Sequence, residues 1–76
     1  MNAESGYNPK IFAERLKELR AEKGVGQNAL SRELGLSNAS ISYWENGKQE
    51  PCASALYKLS VYFGVSIDYL VGKDDR

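Results

Sequence analysis

Between Ser37 and Lys48 the chain reads Ser-Asn-Ala-Ser-Ile-Ser-Tyr-Trp-Glu-Asn-Gly-Lys, which packs hydroxyls, amides and a phenol into a short stretch. These groups donate and accept hydrogen bonds, but unaided none is a strong base or nucleophile. Their chemistry is that of recognition. The rest of the inventory points the same way. The chain has no histidine, so it lacks the commonest general base and the commonest metal ligand. A Ser-His-Asp triad and a histidine-bearing zinc site are excluded. Cys52 is the single cysteine and forms no internal disulfide. Glu14, Glu18 and Glu22 recur at i+4 spacing, which reads as the solvated face of a helix rather than a ligand set. A carboxylate pair could do acid–base work only in a shielded pocket, and no pattern here builds one. The expectation is a non-enzyme with no metal and no cofactor.

The elements that must position these groups are helical. Pro9 suits the first turn of a helix, and Phe12, Leu16 and Leu19 fall on one face between residues 11 and 23. Gly24 stops it. A second helix fits residues 27–34, with Gly26 a tolerated N-cap and Leu30 and Leu34 one turn apart. Gly35 ends it. Ser37 then caps a third helix running to about residue 46, carrying Ile41 and Trp44 and closed by Gly47. Pro51 starts a fourth, residues 52–63, with Leu56, Leu59 and Phe63 on one face. Ser66 caps a last short turn with Ile67, Leu70 and Val71. Nothing reads as a strand. The fold class is all-α, a compact five-helix bundle. Residues 1–8 read as a tail, 9–72 as one domain and 73–76 as a second tail.

The 76 residues suffice for one core, burying about 60% of the unfolded surface. No apolar run approaches the roughly 18 residues of a membrane span. Residues 1–6 lack a basic segment followed by an apolar one, so no signal peptide is read. A cytoplasmic setting and no membrane partner are expected. Ten basic and ten acidic side chains cancel, so no global positive charge advertises nucleic acid.

The spacing from Gln27 through Leu30, Ser31, Gly35, Leu36, Ser37, Ile41, Trp44 and Glu45 to Gly47 describes two helices meeting at a short glycine-bearing turn. A small residue at Ser31 lets them approach, and Leu30, Leu34, Leu36 and Ile41 can bury between them. This is the logic of a helix-turn-helix. With residues 12–20, the run 41–48, Pro51, Leu59 and residues 63–70, the chain resembles the Cro/C1-type (XRE) helix-turn-helix domains of lambdoid repressors.

That resemblance implies a lambda repressor-like fold whose third helix enters the major groove of double-stranded DNA. Asn38, Ala39, Ser40, Ser42 and Tyr43 match base-facing positions. Asn can pair with adenine in a bidentate way, and an Ala methyl can touch a thymine methyl. The same residue types also occur on any solvated helix face. Gln27, Ser37, Asn46 and Lys48 match phosphate-contacting positions, although Gln27 and Ser37 can equally be helix caps. Arg20 and Glu45 match a semi-buried structural ion pair.

The chain departs from the family at Ser31, usually Ala, and at Gly26, usually a Thr or Ser cap. Residues 24–51 hold Arg32 and Lys48 against Glu33, Glu45 and Glu50. Phosphate neutralisation dominates non-specific affinity, so weak monomer binding with a shallow salt slope is expected. Lys10, Arg15, Lys17 and Lys23 on the first helix are expected mostly not to reach the duplex. Weak binding calls for a homodimer, and Tyr57, Val61, Tyr62, Tyr69 and Val71 are candidates for its interface. Tyr62 and Val71 can equally complete the core. The expected function is a transcriptional regulator, a repressor at a pseudo-palindromic operator. The other reading is a protein-interaction module that keeps the fold without strong DNA binding.

Overall fold

A computed structural model of the chain describes residues 6–75, and these form five helices and no strand. They are α1 Pro9–Lys23, α2 Gln27–Leu34, α3 Asn38–Glu45, α4 Ala53–Phe63 and α5 Ile67–Leu70. Local chemistry sets the ends. The Asn8 side chain accepts the Lys10 N–H at 2.9 Å and Pro9 follows at the first helical position. Ser37 and Ser66 cap α3 and α5 by accepting the N–H groups of Ser40 and Tyr69. Gly26 leads α2 with no side-chain cap. Gly35 has φ +66°, which lets the chain leave α2 and enter α3 within three residues.

Helix α1 packs against both α3 and α5, α2 packs against α3, and α4 packs against α5. The core is Phe12, Leu16 and Leu19 from α1, Leu30 from α2, Ile41 and Trp44 from α3, Ala55 and Leu59 from α4, and Tyr69 and Leu70 from α5. Phe12 meets Trp44 edge to face at 6.1 Å between ring centroids. The buried Ser31 hydroxyl donates to the Gln27 carbonyl at 2.9 Å, so this polar side chain carries its own partner into the α2–α3 crossing.

Several sequence expectations shift. Helix α4 begins at Ala53, because Cys52 is extended and acts as its N-cap. Helix α3 ends at Glu45, with Asn46 as its C-cap and Gly47 left-handed after it. Leu34, Leu36, Leu56 and Phe63 pack at the edge of the core, half-buried, while Ala55 takes the fully buried place on α4. The tail boundaries also move. Residues 1–5 of the expected N-terminal tail and residue 76 lie outside the described residues, but Tyr7 packs on the core and Asn8 caps α1. At the other end, the N–H groups of Lys73 and Asp74 donate to the Asp68 carbonyl at 2.8 and 3.3 Å. Arg15 Nη1 donates to the carbonyls of Tyr69 and Asp74, so residues 73–75 are fastened to α1. Gly72 is favoured there, since its φ is +88° and a Cβ would sit 2.9 Å from Ile11 Cγ2, so that side chain would have to shift.

Candidate nucleic-acid interface

Helix α3 is two-faced. Ile41, Trp44 and Glu45 are buried, while Ser37, Asn38 and Ala39 at its leading end are exposed and Tyr43 keeps 44% of its surface in solvent. Ser40 and Ser42 are half-buried beside them. The hydroxyls of Ser37 and Ser40 lie 3.1 Å apart, which couples the cap to the first turn. At the trailing end the Asn46 amide folds back, Nδ2 donating to the Ser42 carbonyl at 2.8 Å. The Lys48 N–H donates to the Tyr43 carbonyl at 2.8 Å, closing the helix and holding Lys48 at its exit.

Beneath this surface, Arg20 Nε donates to Glu45 Oε2 at 2.6 Å and Nη2 to Oε1 at 2.7 Å. Only 20% of the Arg20 side chain and 5% of the Glu45 side chain remain exposed. The hydrogen bond that Arg20 donates to Glu45 is the main reason its guanidinium is held above its ordinary pKa. Burial opposes that shift, and the Glu45 charge adds to it. Arg20 Nη1 also donates to the Val25 carbonyl at 3.1 Å. Gln27 joins the pair, its Nε2 donating to Glu45 Oε1 at 2.9 Å. One carboxylate therefore ties α1, the start of α2 and the end of α3 into a unit. Spacing along the chain carries no sign that Gln27 joins this pair, because its partner is 18 residues away. The Gln27 side chain is thus a brace for α3, and it sits at a helix start whose first backbone N–H groups have no partner within the helix.

The structure separates the interface candidates on α4 and α5. Tyr57 and Val61 are each 65% exposed and border a shallow groove of about 300 Å³ between α2 and α4. Tyr62 is half-buried, edge-on to Phe63 at 4.9 Å, with Lys23 Nζ over its ring at 4.6 Å. Val71 is half-buried. Tyr69 must be removed from that surface: it is 6% exposed, and the Arg15 guanidinium lies 4.3 Å from its ring centroid. Its apolar ring fills the α1–α5 crossing, which the short α5 stretch did not reveal from periodicity. No group of three or more metal-ligating side chains occurs among the described residues. No helix of the described residues is long and apolar enough to cross a membrane.

A small residue at the α2–α3 crossing, a glycine turn, an exposed leading end on α3 and a braced trailing end define a helix-turn-helix domain. The chain belongs to the helix-turn-helix domain family of Cro/C1 type, whose family model matches residues 13–76. It is 39% identical over 64 residues to the transcriptional regulator ImmR of Bacillus subtilis, covering 84% of this chain and 50% of ImmR. It is 36% identical over 67 residues to repressor protein C2 of Salmonella phage P22, covering 88% of this chain and 31% of C2. The chain thus spans half or less of the length of these two relatives. The crystal structure of the P22 c2 repressor with a synthetic operator superposes with TM-score 0.78 at 36% identity, over 84% of this chain and 97% of that one.

Proposed function

We propose that this chain is the DNA-reading part of a transcription regulator, a repressor acting by occupying a pseudo-palindromic operator in the cytoplasm. Helix α3 enters the major groove, and Asn38, Ala39, Ser40, Ser42 and Tyr43 meet base edges. Ser37, Asn46, Lys48 and the start of α2 at Gln27 meet phosphates. Two copies bind together, each reading one half-site about 34–36 Å from the other. The role is binding, with no catalysis, metal or cofactor. The observation that carries this reading is the division of α3: its leading end is exposed and polar, while its trailing end is locked by Arg20, Glu45 and Gln27. The likeness to a repressor solved on an operator supports it.

The test is selection of bound duplexes from a random pool at low salt, with the parent and an Asn38→Ala, Tyr43→Ala variant in parallel. A pseudo-palindrome enriched by the parent and lost in the variant is expected. No enrichment by a folded parent would refute the reading. The even charge balance and the exposed Tyr57 and Val61 favour a second reading, a protein-interaction module. Salt separates the two, since DNA binding weakens as salt rises, by an amount set by the phosphates neutralised, and an apolar contact does not.

A further inference from the structure

We propose that Lys10 and Lys17 of α1, together with Lys48, form a cationic rim that grips the DNA phosphate backbone beside the groove entered by α3. This rests on the DNA-binding reading above and extends its footprint to a helix outside the helix-turn-helix.

Lys10 and Lys17 are seven residues apart, which places them on one face of α1 roughly 10 Å apart along its axis. That face is turned toward the trailing end of α3. Lys10, Ala13 and Lys17 line, with Asn46 and Gly47, a depression of about 130 Å³ between the two helices. Lys48 follows directly after Gly47. Ala13 is buried between the two lysines, so no bulky side chain blocks an anion from the floor.

The formal neutrality of the chain conceals how its cations are placed. Arg20 is held by Glu45, and Arg15 by the Tyr69 and Asp74 carbonyls. Lys58 donates to the Leu34 carbonyl at the end of α2, and Lys23 lies over the Tyr62 ring. Lys10, Lys17 and Lys48 are exposed, and among the described residues their side chains have no hydrogen bond or ion pair. Glu45 at the edge of the depression is already neutralised by Arg20, which leaves Glu14 as the opposing carboxylate there. Two free ammonium groups, those of Lys10 and Lys17, thus share the depression with one free carboxylate, and Lys48 lies one residue beyond Gly47 at its edge. Phosphates recur every 3.4 Å of helix axis along each DNA strand, so two lysines about 10 Å apart on flexible stems can each reach a separate phosphate. A duplex backbone fits better than a single small anion because the rim is continuous with the exposed face of α3.

The test measures the dependence of log Kobs on log salt for a selected duplex, from about 50 to 200 mM. The parent is compared with Lys10→Gln, Lys17→Gln and with Lys23→Gln, Lys73→Gln, which removes equal charge elsewhere. The first variant is expected to lower the slope by about 1.8, or about 0.9 per lost phosphate contact, while keeping the selected sequence. The second is expected to keep the parent slope, and Lys10→Arg, Lys17→Arg to restore it. A parent that binds with a slope unchanged in Lys10→Gln, Lys17→Gln overturns the rim alone. So does an equal fall in both charge-matched variants, which would mean bulk charge. A parent that binds no duplex at any salt overturns the DNA-binding reading and the rim with it.

Discussion

Glu45 accepts from Arg20 twice and from Gln27 once, and it is nearly excluded from water. Removing Arg20 would strand that carboxylate. Breaking a fully buried pair costs about 3–5 kcal/mol, and Arg20 retains some solvent contact, so Arg20→Met is expected to cost about 2–3 kcal/mol. Chemical denaturation measures this, and equal stability of variant and parent would refute the structural role. Tyr7 offers a pH signature. Burial, and secondarily the Glu50 charge, raise its pKa above 10.0. The fold therefore favours the neutral phenol. Its contribution is whole below the ordinary tyrosine value and is lost as pH rises through the folded one. Tyr7→Phe is expected to flatten the fall of stability above pH 10.0, read by melting at a series of pH values.

At the scale of elements, backbone conformation decides what substitution does, even where space is open. A Cβ would meet nothing within 4 Å at either Gly26 or Gly35. Gly26 has φ −80° and ψ 170°, a conformation any residue adopts, and lacks a side-chain cap. Gly26→Ser is expected to gain a few tenths of a kcal/mol by capping α2. Gly35 has φ +66°, so Gly35→Ala is expected to lose about 1–2 kcal/mol. For a domain of this size each kcal/mol moves Tm by about 4–8 °C, so calorimetry resolves the opposite signs. The helix starts at Ser37 and Ser66 were legible because a cap is a local interaction between neighbouring residues. The partial exposure of Leu56 and Phe63 was not, because a periodic face says which side points inward but not how much covers it.

For the molecule as a whole, α1 is the strut. It packs on α3 with its buried face and holds α5 and residues 73–75 through Arg15. The most exposed apolar pair, Tyr57 and Val61, lies on α4 and not on α3, the proposed reading helix. A stable interface buries about 800 Å² per partner, more than these two side chains provide, so self-association through them is expected to be weak without DNA. Tyr57→Ser, Val61→Ser is expected to keep the monomer melting temperature and weaken paired half-site binding. Sedimentation with and without duplex checks this. A parent that stays one copy per duplex at every concentration would remove this face as the dimer contact.

Helix number, order and type, and the position of the α2–α3 turn, were set by the sequence alone. They depend on apolar period, caps and glycines, all of which act within a few residues. The helix-turn-helix spacing is legible for the same reason. Only the tertiary structure decided which charges are free. Arg15, Arg20, Lys10 and Lys17 share one helix and similar chemistry, yet the first two are consumed by partners 25 or more residues away and the last two are left facing the end of α3. It also moved Tyr69 from surface to core. Composition counts charges and rings, but their pairing and cover depend on how distant helices cross.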